Sequence, residues 1–141
     1  MGSATALFYS KEAPVPICGM VLDSCFYQFK DVAQNLVSKM GIPPEFFEML
    51  WPQVVMAVNE ATNGMNLNKH NPVLMAPNRT VPVCFLHGID DDLIPMNHSE
   101  HLLEKYAGTD KDAIYCEGGH NDFRPIDTQK QILAFIARVC A

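Results

Sequence analysis

Apolar residues come in two kinds of run along this chain. Some runs are short and continuous. KDAIYC, ahead of Glu117-Gly118-Gly119, reads as one short strand, while Ile17 to Leu22 is apolar apart from Gly19 and Val81 to Leu86 forms the apolar run VPVCFL. Runs of this length, bounded by turn residues, predict strands buried on both faces, as in a parallel sheet. Other apolar residues recur at helical spacing. Val32, Leu36, Val37 and Met40 do so up to Gly41, which supplies a stop. Phe46, Phe47, Met49, Leu50, Val54, Val55 and Val58 predict a helix from Glu45 to about Asn59, with Pro52 expected to kink it or to start a new first turn. Ile132, Leu133, Phe135, Ile136 and Val139 predict a last helix, capped by Asp127 or Thr128. Residues 2 to 12, rich in small and apolar side chains and ending before Pro14, read as a helix. NHSEHLLEKYAG reads as another, capped at Asn97 or with Pro95 nearby, and closed by Gly108. The stretch from Thr62 to Arg79 is polar and rich in turn residues, and predicts loop with one short helix.

The resulting order, α-β-α-α-β-α-β-α, predicts an α/β fold. It contains three parallel strands joined by right-handed crossovers, with helices on both faces. In such a sheet the working residues lie on the loops beyond the carboxyl ends of the strands. Three loops meet that description: Asp23-Ser24, His87-Gly88-Ile89-Asp90-Asp91-Asp92, and Gly118-Gly119-His120-Asn121-Asp122.

Composition narrows the class of partner. The 141 residues carry a net charge of -6, with Lys and Arg scattered singly. Nucleic acid and anionic membranes attract basic patches, so neither is expected as a partner. No apolar run approaches the roughly 20 residues that span a bilayer. The N-terminal residues lack a basic, long-apolar leader pattern, and Ala6 stands where a myristoylation pattern wants Ser or Thr. The five cysteines include no CxxC pair. They are expected to be buried, reduced thiols in a cytoplasmic protein. No clustered Cys and His residues suggest a zinc site, and the chain has no internal repeat.

The chemistry concentrates in the second and third loops. A histidine that takes a proton from a nucleophile needs a carboxylate to fix its tautomer and steady the imidazolium. Loops on neighbouring parallel strands bring such a pair together, and glycines allow the tight turns this requires. HGIDDDLIP resembles the H-G-x-x-D-x-x-[VI]-P pattern found after strand seven of α/β-hydrolases, and EGGHND resembles their histidine loop after strand eight. The opening Met1-Gly2-Ser3-Ala4 looks like the end of a G-x-S-M-G nucleophile elbow, and MVLDSCF resembles a D-S-P-F segment of serine-aminopeptidase-like and prolyl-oligopeptidase-like serine hydrolases, with Cys25 in place of the Pro.

That resemblance covers essentially the whole chain. It implies the C-terminal part of an α/β-hydrolase fold, spanning residues 1–141. Residues 27–80 would form a small helical cap or insertion, and residues 81–141 would carry the acid and histidine loops. It implies Asp91 as the triad acid and His120 as the base, with the serine just upstream of Met1. Met1 would correspond to the residue whose N–H helps form the oxyanion hole. The implied activity is hydrolysis of an ester, thioester or amide of a small-molecule or peptide acyl substrate. No metal or organic cofactor is implied, and the partner would be a missing N-terminal half. Three states of such a chain stay open: a hydrolase truncated at its start, a short inactive paralogue acting as a binding or regulatory partner, and a split enzyme completed by another chain. Among the remaining polar residues, His87 is expected to orient its loop. Asp90 and Asp92 are expected to be solvated, His70 to lie on a loop surface, His98 and His101 at the surface or a hinge, and Ser24 to bond locally to backbone. Ser3 and Cys25 lack elbow geometry for a substitute nucleophile. Phe46, Phe47, Met49, Trp51 and Met56 are expected to pack the cap, with an acyl pocket as the alternative.

Overall fold

In the computed structural model, which describes residues 1–11 and 16–141, three parallel strands form one sheet in the order β1-β2-β3. They are β1 (Met20–Asp23), β2 (Val83–Gly88) and β3 (Lys111–Cys116), with Met20 opposite Val83 and Val83 opposite Lys111. This agrees with the expected α/β architecture. β2 lies between the other two and is buried at every position, as its unbroken apolar run predicts. β1 starts later than expected: Ile17 and Cys18 precede it rather than belong to it.

The strand period of two sorts the apolar residues onto two faces. Met20, Leu22, Val83 and Phe85 form one face and join the main core with Ala4 and Leu7 of α1 (Gly2–Tyr9) and with Leu102 and Tyr106 at α5 (Asn97–Lys105). Cys84 and Ile114 lie on the other face beside Phe135 of α6 (Ile126–Val139). α1 ends at Tyr9, with Ser10 and Lys11 in a turn, short of the expected end at residue 12. Gly19 passes so close to α6 that a Cβ there would lie 2.6 Å from Val139.

Helices α2 (Phe29–Lys39) and α3 (Pro44–Ala61) are joined through Gly41, whose φ of +79° suits glycine. They enclose a second, smaller core of Phe47, Trp51 and Leu67, flanked by Phe29, Val37 and Val58. Trp51 Nε1 donates to Asn68 Oδ1 at 3.0 Å, tying the hairpin to the loop that follows. Phe47 and Trp51 therefore pack as expected, but Phe46, Met49 and Met56 stand exposed. α3 runs through Pro52 as one helix. Both Pro52 and Glu48, whose carbonyl loses its helical donor, are exposed residues. The chain then forms α4 (Pro72–Met75) and a 3-10 turn (Ala76–Asn78) before β2.

Several local expectations are corrected. Neither α5 nor α6 has a side-chain cap: the residues before them are Met96 and Pro125. Asp127 instead pairs with Lys130 at 2.8 Å. Cys18 and Cys140 form a disulfide, with Cα atoms 5.5 Å apart, so they are not reduced thiols. Cys25, Cys84 and Cys116 are free and buried. His98 is buried, not at the surface or a hinge.

His98 carries a pH prediction. Its Nδ1 accepts the Tyr27 backbone N–H at 3.2 Å, and its ring lies 4.6 Å from the Tyr27 ring. Burial drives its pKa down from 6.5 to about 4; Asp31 and Asp91 oppose that shift, while His87 and His101 reinforce it. Between those two values the unfolded chain binds a proton that the folded one refuses. Stability therefore falls as pH drops through this window, by up to about 3 kcal/mol. Thermal melts from neutral pH down to about 4.5 should show this loss. His98→Phe should flatten the slope while lowering stability at neutral pH, because Tyr27 N–H loses its acceptor. An unchanged slope in that variant would assign the acid sensitivity elsewhere.

Candidate active site

All three strands end at the same edge of the sheet, and their loops converge there. The acid and histidine loops are bound together by backbone. Ile89 N–H donates to Cys116 O at 2.8 Å, and Asp90 N–H to Gly118 O at 3.2 Å. Such close approach needs glycine at position 88. A Cβ there would lie 2.2 Å from the Gly118 carbonyl oxygen. Gly118 itself has φ +108°, a conformation glycine adopts readily.

Asp91 and His120 meet across this seam. His120 Nδ1 lies 2.8 Å from Asp91 Oδ2. The other oxygen, Oδ1, accepts the backbone N–H groups of Leu93 at 3.1 Å and Ile94 at 2.8 Å. The Asp91 side chain is fully buried, whereas that of His120 is 26% exposed. Burial pushes the Asp91 carboxyl upward. The hydrogen bonds of Ile94 and His120, with the charge of His120, outweigh it and hold the pKa below its ordinary value. An ionised Asp91 makes His120 Nδ1 the donor. The proton-free nitrogen is then Nε2, which has no hydrogen-bond partner among the described residues.

Below this pair lies a second histidine. His87 is fully buried at the end of β2. Its Nε2 donates to Ile94 O at 2.7 Å, and its Nδ1 lies 2.6 Å from Ser99 Oγ. Ile94 is thus held at both its N–H and its carbonyl, which fixes the turn that presents Asp91. His87 also approaches Asp91 Oδ2 at 3.6 Å, beyond hydrogen-bond range.

No family model matches the sequence, and no curated protein matches it. Solved structures do share its fold. An esterase of Pyrococcus furiosus, Pf2001, superposes with a TM-score of 0.68 at 16% identity, over 100% of this chain and 51% of the esterase. An α/β-hydrolase domain-containing protein 10 from mouse gives 0.65 at 16% identity, over 98% and 58%. MGS-M2, an α/β-hydrolase enzyme from a Medee basin deep-sea metagenome library, gives 0.58 at 17% identity, over 99% and 62%. The chain has the fold of part of an α/β-hydrolase. It spans about half the length of the Pyrococcus esterase.

Within this α/β-hydrolase fold, sequence reasoning overlooked Arg124. Its guanidinium grips Asp23 at the end of β1 with two bonds, of 3.0 and 2.8 Å, and donates to Gly119 O at 2.9 Å. It therefore ties the histidine loop to the first strand across β2. The available signal was an acid at a strand end and an arginine four residues beyond His120. Ser24 joins the same cluster. It sits near Asp23 Oδ1 and Arg124 Nη2, both 3.3 Å away, so its hydroxyl meets side chains instead of the expected local backbone. Asp90 and Asp92 are exposed as expected, yet neither is idle: Asp90 Oδ2 accepts Gly118 N–H at 3.2 Å, and Asp92 pairs with Lys39 at 3.0 Å. His70 and His101 are exposed.

The remaining candidate nucleophiles are occupied. Ser3 donates its hydroxyl to Asp23 O at 2.6 Å. Cys25 is buried, which pushes its thiol pKa up to about 12, with a small opposing effect from the nearby N-terminal ammonium. A thiol at that value is not a nucleophile near neutrality. Among the described residues, no group of three or more His, Cys, Asp or Glu side chains is placed to hold a metal ion. No helix among them is long and apolar enough to cross a membrane.

Proposed function

We propose that the chain is the acid-and-histidine half of a serine hydrolase acting on ester, thioester or amide bonds. Asp91 is its triad acid, His120 its general base, and the serine precedes Met1. The observation that carries this is the 2.8 Å contact from His120 Nδ1 to Asp91, which leaves Nε2 free at the sheet edge. Two features support the reading that a preceding residue would lie at that edge. Ser3, in the first turn of α1, bonds to the last residue of β1. The N-terminal ammonium lies near Cys25, just beyond that strand. The first turn of α1 thus stands beside the end of β1, at the sheet edge from which the loops of Asp91 and His120 also emerge.

The mechanism follows from these groups. His120 Nε2 takes the serine proton as the hydroxyl attacks the acyl carbonyl. The imidazolium, steadied by Asp91, returns the proton to the leaving group. Water then adds to the acyl-enzyme by the same exchange. In the longer protein Met1 contributes a backbone N–H rather than an amine, at the position from which an oxyanion is stabilised.

The test compares two proteins. The 141-residue chain is expected to leave p-nitrophenyl acetate unhydrolysed above its His120→Gln background. The protein extended by the residues encoded ahead of Met1 should hydrolyse it, and should be labelled by a fluorophosphonate on the serine preceding Met1. Labelling elsewhere, or His120-dependent turnover by the short chain, would overturn the assignment.

A further inference from the structure

The cations of this acidic protein are unevenly placed. Neither residues 1–11 nor residues 61–89 contain an Asp or a Glu, although the chain has 16 of them. These two segments nonetheless meet around a cleft of about 500 Å3, lined by Thr5, Tyr9, Lys11, Lys69, His70 and Arg79. Lys11, Lys69 and Arg79 make no salt bridge among the described residues. Arg79 is the decisive member. It is 3% exposed, and a buried guanidinium ordinarily sits against a carboxylate. Here its Nε donates to Leu7 O at 3.1 Å and its Nη1 to Asn78 O at 3.2 Å. Both partners are neutral, so among the described residues the charge is uncompensated and Nη2 has no partner. The carbonyls pin the guanidinium at the wall of the cleft and leave one edge for an incoming acceptor.

The cleft also has an apolar extension. A cavity of about 90 Å3 shares Thr5, Phe8 and His70 with it and continues along Ala4, Phe26 and Leu67. An anionic head in the larger space would therefore have a short apolar group beside it in the smaller one. Three cations in a wall that holds no carboxylate among the described residues match a dianion better than a single negative charge.

We propose that this cleft binds a phosphomonoester of a short-chain alcohol, its phosphate held by Arg79, Lys11 and Lys69 and its carbon chain in the adjoining cavity. The proposal uses neither Asp91 nor His120, but the smaller cavity also touches Met1, the residue that the hydrolase reading puts at the oxyanion position.

The experiment is titration of the 141-residue chain with butyl phosphate, inorganic phosphate, butanoate and butanol, followed calorimetrically and by backbone amide shifts. Butyl phosphate is expected to bind most tightly, shifting amides of α1 and of residues 69–79. Its affinity should fall several-fold as salt rises. Lys69→Glu and Lys11→Glu, at exposed positions, should each weaken it about tenfold without changing the melting temperature. Arg79→Lys keeps the charge but not the fork, and should weaken it further. Butanol binding as well as butyl phosphate would overturn the anion site. Butanoate matching butyl phosphate would overturn the dianion assignment. Affinity unchanged in both Lys→Glu variants, or absence of binding at millimolar ligand, would overturn the proposal outright.

Discussion

Asp91→Asn is expected to slow ester hydrolysis by the serine-bearing protein about 10⁴-fold, with the protein still folded. An Asn carbonyl oxygen still accepts the N–H groups of Leu93 and Ile94, which Asp91 Oδ1 accepts at 3.1 and 2.8 Å. Its amide group, however, donates towards His120 Nδ1. The imidazole proton then moves to Nε2, the nitrogen that must receive the serine proton, and the base is lost. The decrease should appear in kcat with little change in KM. Combining it with His120→Ala should add almost nothing, since the two residues act as a unit. Activity within about tenfold of the parent would remove Asp91 from the mechanism. The same carboxylate contributes to acid stability. Because its folded pKa is lowered, its contribution is complete above the ordinary carboxylate value and disappears as pH falls through the lowered one.

Reduction of the Cys18–Cys140 bond should produce the largest change in stability. The bond links residues 122 apart in sequence, so it closes a loop of nearly the whole chain. Restricting the unfolded ensemble on that scale corresponds to about 5 kcal/mol in the chain-entropy account. For a domain of this size the melting temperature should drop by roughly 10 °C or more on reduction. Cys18→Ser should reproduce the drop and make the protein insensitive to reductant. Both cysteines are exposed and open to reduction. Burial raises the thiol pKa of Cys25 to about 12 and that of Cys84 to about 11, so neither supplies a thiolate for exchange near neutrality. Melting curves that coincide with and without reductant would show that the two sulfurs are not joined in solution.

The same half of an α/β-hydrolase fold also contains features that no local pattern announced. The Arg124–Asp23 grip joins residues 101 apart in sequence, the disulfide joins a pre-strand residue to the chain's penultimate one, and the cationic cleft is assembled from α1 and residues 69–79. Each depends on a distance through space that spacing along the chain does not encode. His98 reads as an ordinary helix-surface residue until the packing of Tyr27 against it is known. The missing side-chain caps on α5 and α6 show the reverse: local preference pointed to Asn97, Asp127 and Thr128, and tertiary packing prevailed, burying Thr128.

What the linear pattern determined was the identity of the elements and the edge at which chemistry gathers. Short apolar runs between helical segments read as strands of a covered parallel sheet, whose following loops emerge on one side, so the acid loop and the histidine loop were legible as neighbours, and the resemblance to α/β-hydrolase motifs singled out Asp91 and His120 within them. What required three dimensions was how tightly those loops are held. Gly88 admits the Gly118 carbonyl, Ile94 orients Asp91, and Arg124 anchors the histidine loop, because contacts at hydrogen-bond distance arise only when packing brings separate segments together.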